Sequence, residues 1–74
     1  MRLIVYAVII TYVDYSNDLD NIFPTKESAI AYAKKIIAKS PSVYRVQVDK
    51  DEVTEEFGRG WLNTVYTEEH KERY

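Results

Sequence analysis

The residues of this chain with the chemistry to act on a substrate are few, and their spacing argues against most reactions. There is one histidine, His70, and it sits in a charged terminal stretch. A Ser–His–Asp arrangement would have to use it. The serines, Ser16, Ser28, Ser40 and Ser42, fall in turn or helix contexts with no strained nucleophile turn around them. Asp14-x-Ser16-x-Asp18-x-Asp20 has the beginnings of a calcium loop. The glycine that such a loop needs at its sixth position is Leu19, and its twelfth position is Thr25 in place of a bidentate Glu. Local turn chemistry is the better account of those acids. Gly58-x-Gly60 lacks the further glycine or Gly-Lys that would cradle a phosphate. Glu52, Glu55 and Glu56 have no apolar pocket implied around them, so solubility explains them. The chain has no cysteine, hence no disulfide, thiolate nucleophile or thiolate-bound metal. No catalytic residue, metal site or cofactor site is expected.

Aromatic surface is what remains. Seven tyrosines and one tryptophan are many for 74 residues. Both residue types bury readily at interfaces and lose little entropy there. The run from Leu3 to Val13 makes them more telling. It is β-branched and aromatic, so it reads as a strand, yet it is apolar on both sides. Leu3, Val5, Ala7, Ile9 and Val13 point one way, and Ile4, Tyr6, Val8, Ile10 and Tyr12 the other. Such a strand needs a cover on both sides. The remaining sequence offers one convincing helix, which covers one.

Asp14-Tyr15-Ser16-Asn17-Asp18 is a dense turn signal, and Ile22-Phe23 reads as a short partner strand, so a hairpin is expected. The helix signal is stronger. Pro24 keeps the chain extended, Thr25 is placed to cap, and Glu27 sets an acid in the first turn. Ala29, Ile30, Ala33, Ile36 and Ile37 mark one helical face, with Ala31 and Ala38 opposite. Lys34, Lys35 and Lys39 load the last turns, and Ser40-Pro41 ends the helix. From Val43 to Asp49 the chain alternates, with Tyr44, Val46 and Val48 on one face and Val43, Arg45, Gln47 and Asp49 on the other. That is a half-buried strand. Residues 50–59 fit a helical turn or a strand end equally, and Trp61 to Tyr66 fits a last strand.

The length sets one domain near the lower limit for independent folding, expected over residues 1–67, with a charged tail at 68–74. A net charge of −2 selects no partner, but its distribution is uneven. Residues 25–50 are basic and residues 51–74 acidic. The opening apolar run is too short to span a membrane and has no cleavage site after it. The lack of cysteine suits a reducing compartment such as a cytoplasm. Sheet aromatics can stack nucleic-acid bases, and Tyr6, Tyr12 and Arg45 are candidates. However, the sheet-forming segments carry few cations and the lysines cluster on the helix. An acidic DNA-mimicking surface after residue 50 is interrupted by Arg59, Lys71 and Arg73.

Ile22-Phe23-Pro24-Thr25-Lys26-Glu27-Ser28-Ala29, leading into Tyr32-Ala33-Lys34-Lys35, resembles an arrangement common in small bacteriophage early proteins. There a strand ends in Phe, a capped helix opens with an acid, and a Tyr-x-Val-x-Val strand follows. The likeness covers about residues 3–49. It implies a protein that binds and disables a host enzyme or defence factor, and it carries over no functional residue.

The expected fold is α+β, a three- or four-stranded antiparallel sheet with one helix on one face, in the order β-β-α-β-β. The expected core is Leu3, Val5, Ala7, Ile9, Ile30, Ala33, Ile37, Tyr44, Val46 and Val48, since Ala7 suits close helix approach. The expected function is binding, with Tyr6, Tyr12, Tyr15, Asp18, Trp61 and Tyr66 meeting a protein target. The alternatives are a homodimer that buries the same face and a binder of single-stranded nucleic acid.

Overall fold

The computed structural model describes residues 3–53 and 63–70. Four strands and one helix follow in the order β1 (Leu3–Tyr12), β2 (Asn17–Phe23), α1 (Lys26–Lys39), β3 (Val43–Val53) and β4 (Asn63–Glu69). The strands form one antiparallel sheet in the order β2-β1-β3-β4, and α1 packs on one face of it. This is the expected β-β-α-β-β arrangement. β3 continues as strand through residues 50–53, so the helical-turn alternative there does not hold. β4 continues through Glu68 and Glu69, where composition alone reads as a charged tail. The rest of the ambiguous segment, together with Trp61, lies outside the described residues.

Local signals account for α1. Thr25 is extended (φ −127°, ψ 149°), and its hydroxyl accepts from the Ser28 backbone N–H at 3.2 Å. That satisfies one of the donors a helix start leaves open. At the far end the Ser40 N–H reaches the Ile36 carbonyl at 2.9 Å, and Pro41 prevents another turn. Ala29, Ala33 and Ile37 are fully buried. Two alanines at i and i+4 let the helix axis lie close to the sheet.

The core inverts the expected polarity of β1. Its helix-facing side chains are Val8 and Ile10, flanked by Tyr6 and Tyr12, and they join Ala29, Ala33, Ile37, Val43, Val46 and Val48. Leu3, Val5, Ala7 and Ile9, expected in the core, point to the opposite face. The register explains this. Val8 pairs with Val48 and Ile10 with Val46, whereas Ile9 pairs with Gln47 and Ala7 with Asp49. β3 has one apolar side, and directly paired residues share a face. β1 therefore had to turn its Val8/Ile10 side to the helix. Each fully buried Val or Ile adds about 1.5–3 kcal/mol to this preference.

Three bulges adjust the pattern. The register skips Asp20 against Val8/Ile9, Tyr44 against Thr11/Tyr12, and Val65 against Val48/Asp49. An extra residue moves everything beyond it to the other face. Val43, not Tyr44, consequently pairs with Tyr12 and enters the core. Tyr44 is buried but stands outside the helix-side cluster, against Tyr15 and Arg45.

Candidate functional site

The face of the sheet away from α1 divides by strand. On β3 it is polar and largely buried, and on β4 it is polar and open, with Thr64, Thr67 and Glu69 exposed. Asp49 Oδ1 accepts from Gln47 Nε2 at 2.9 Å and from Thr64 Oγ1 at 2.8 Å, and Gln47 Nε2 also reaches Thr64 Oγ1 at 3.2 Å. Further along, Arg45 donates to Thr11 Oγ1 at 3.3 Å, and the Thr11 hydroxyl donates to Asn17 Oδ1 at 2.6 Å. Thr11, Asp49 and Asp51 are each at most 5% exposed. A carboxylate buried to that degree presents almost nothing to a partner, so the strip through Asp49 and Asp51 is structural. Hydrogen bonds offset the burial of Thr11 and Asp49.

On β1 and β2 the same face is apolar and partly open. Leu19 pairs with Ile9 and Ile22 with Ala7, and the strip runs on along β1 through Val5 to Leu3. Ala7 is buried, Val5 and Ile9 are half-buried, but Leu3, Leu19 and Ile22 are 59%, 46% and 49% exposed. Exposed apolar side chains grouped in this way mark interaction surfaces more often than scattered ones do. The expectation of a wholly bare second face is thus corrected. Its centre is closed by Ala7, Thr11, Asp49 and Asp51, and its open part is the β1–β2 side.

The hairpin between β1 and β2 stands at one end of this strip. Tyr12 O accepts from Tyr15 N at 2.8 Å, and Tyr12 N donates to Ser16 O at 2.9 Å. This is a three-residue loop whose last residue must be left-handed. Tyr15 occupies that place at φ 68°. Asp14 Oδ1 accepts from the Ser16 N–H at 2.9 Å and from its hydroxyl at 2.6 Å, which holds the Asp14 carboxyl below its ordinary range. Val13 N donates to Ser42 O at 2.8 Å and ties the loop to the start of β3.

The sequence-predicted contact residues do not form one surface. Tyr6 and Tyr12 lie half-buried on the helix side, packed against the core. Tyr66 is on that side too. Its ring carries Lys34 Nζ at 5.8 Å from its centre, and its hydroxyl donates to Glu68. Burial first, then that bond, push the Tyr66 phenol up to about 12. Asp18 is exposed on β2 and pairs with Ile10, which puts it on the helix-side parity. Tyr15, 63% exposed, stands at the hairpin tip. Trp61 lies outside the described residues. The open residues Leu19 and Ile22 escape the sequence reading as a pair: Ile22 reads as strand, but only the bulge at Asp20 puts Leu19 on the same face. The Asp49 network did leave a signal, the polar side of the β3 repeat.

Among the described residues no group of His, Cys, Asp and Glu is arranged to hold a metal ion, and no helix is long and apolar enough to cross a membrane. Comparison of the chain with protein-family models, curated proteins and solved structures finds no match.

Proposed function

We propose that this chain is a small protein-binding module that docks through the apolar strip on the β1–β2 side of its sheet. The observation that supports this is the exposure of Leu3, Leu19 and Ile22 as an apolar strip on a face that is otherwise polar, with Thr11 and Asp49 buried in hydrogen bonds beside it. Isolated apolar side chains need no explanation, but a row of them beside a polar surface does. The resemblance of residues 3–49 to small phage early proteins suggests the finer reading: an inhibitor that occupies a host enzyme or a defence protein. Such a protein acts by covering a surface and performs no chemistry of its own.

The test uses tagged protein and the double variant Leu19→Lys/Ile22→Lys. Parent protein should retain a discrete target from a lysate of the source cells, identified by mass spectrometry. The double variant should lose that target while its thermal midpoint stays close to the parent's, since surface changes cost about 0.5 kcal/mol or less. Retention of the target by the double variant defeats the reading. Light scattering separates the competing homodimer. A doubled mass in the parent that the double variant abolishes would assign the strip to a second copy.

A further inference from the structure

We propose that Tyr15 is the anchor residue of this module, and that its complement is a cationic protein surface with an apolar cleft. This rests on the protein-binding reading above and names its contact point and the character of its partner.

The first observation is conformational. A left-handed residue at the end of a three-residue hairpin loop is normally Gly or Asn, because a Cβ crowds the following carbonyl there. Here the position holds a bulky aromatic at φ 68°. Strain of this kind persists only where its surroundings over-determine it, and it collects at functional positions. The surroundings do so here. The Asp14–Ser16 bonds set the turn, and the Val13–Ser42 bond ties it to the body of the domain. The Tyr15 ring also meets the edge of Tyr44 at 5.7 Å between centroids and 78° between planes. Tyr44 is itself buried, with Arg45 over its ring at 5.7 Å.

The second observation is exposure. With 63% of its surface open, the Tyr15 side chain is held but not covered. A strained core residue would be expected to bury its ring. An anchor should be fixed in place and still free to enter a pocket, because a partner then loses little entropy in binding it.

The third observation is charge. From Leu3 to Thr25 the chain carries Asp14, Asp18 and Asp20 and no Lys or Arg, and the Arg45 that packs over Tyr44 near the tip is half-buried and donates to Thr11. All three acids are exposed around the hairpin and the β2 edge. This rim repels phosphates and anionic headgroups and favours a basic surface. Val13, 40% exposed beside Tyr15, adds apolar area at the tip. The complement is therefore cationic around an apolar cleft that takes an aromatic ring.

The experiment titrates parent and Tyr15→Gly protein with three fluorescent synthetic peptides, followed by anisotropy. One alternates Arg or Lys with Leu, one alternates Lys with Ser, and one alternates Glu with Leu. Parent protein should prefer the cationic-apolar peptide over the other two, and added salt should weaken that binding. Tyr15→Gly should lose roughly tenfold or more in affinity for it, with a thermal midpoint no lower than the parent's. Equal binding of the Lys/Ser peptide, preference for the Glu/Leu peptide, or unchanged binding by Tyr15→Gly each overturns the proposal. A lower midpoint in the variant also overturns it, because the ring would then be a structural prop. If Tyr15→Gly instead dissociates a parent dimer in light scattering, the occupant is a second copy and the cationic partner is wrong. Capture of a cellular target through Leu19 and Ile22 with no peptide preference would leave the module reading standing and remove only this inference. Loss of both removes the module reading as well.

Discussion

The two sides of β1 have similar composition and opposite fates. Tyr6, Val8, Ile10 and Tyr12 pack under the helix, and Val8 and Ile10 are almost wholly buried. Leu3, Val5, Ala7 and Ile9 form part of a face that is open toward β2 and closed toward β3. Apolar content along a strand therefore does not say which side is core. The neighbouring strand decides it. β3 offers Val46 and Val48 on one side and Gln47 and Asp49 on the other, and pairing passes that polarity to β1.

The sharpest way to break this comparison is to place the same charge on either side. Val8→Asp puts a carboxylate into a fully buried apolar position and should cost about 4 kcal/mol or more, enough to unfold a domain of this size. Ile9→Asp, one residue along on the half-buried opposite side, should leave a folded protein. Circular dichroism with urea titration reads both. Equal losses would mean that the two sides are equally core.

The polar half supplies a second contrast, of intermediate size. Asp49→Ala removes the buried acceptor that Gln47 Nε2 and Thr64 Oγ1 share and should cost about 1–3 kcal/mol in urea unfolding. Asp49→Asn keeps an acceptor and should cost less. On the open half, the Leu19→Lys/Ile22→Lys pair should change stability by no more than about 1 kcal/mol, about 0.5 for each substitution, while removing target capture. If the open-half variant were the more damaging of the two to stability, the division of this face would be wrong.

A separate contrast is a pH dependence that belongs to the helix side. The Tyr66 phenol stands at about 12 in the folded chain against an ordinary 10.0, and Tyr32 is also raised, chiefly by donating to Asp20. As pH climbs above the ordinary value, the unfolded phenols ionise first and the folded ones stay neutral. Stability is therefore full below that value, falls as pH rises through it, and stops falling above the folded value. Urea midpoints at pH about 9 and about 11.5 should show this decline, and Tyr66→Phe should reduce it. An unchanged decline in Tyr66→Phe would place the responsible group elsewhere.

Much of the architecture was legible because it rests on short-range chemistry. Thr25, Glu27 and Ser40-Pro41 bound a helix for reasons that lie within a turn of each residue. The Asp14–Asp18 segment turns where the Asp14 carboxylate accepts from the Ser16 backbone N–H and hydroxyl. The candidate site was less legible. Tyr6, Tyr12 and Tyr66 were expected at a surface because they are amphipathic, but their rings flank the helix and contribute to the core. Tyr15 is a candidate from the sequence, yet nothing in its neighbours reveals a left-handed backbone.

By itself, then, the sequence determined one helix with its limits, the one-sided polarity of β3, the loop between β1 and β2, and the absence of thiol chemistry. Only the folded sheet decided which side of β1 faces the helix, that Val43 displaces Tyr44 from the core, and that Leu19 and Ile22 come to share one exposed strip. All three depend on register: the first on which β3 residues pair with β1, the second on the extra residue Tyr44, and the third on the extra residue Asp20. A side chain alternates with a period of two, so one inserted residue reverses every assignment beyond it. The free energy that selects the insertion comes from pairing with another strand and is not contained in the segment itself.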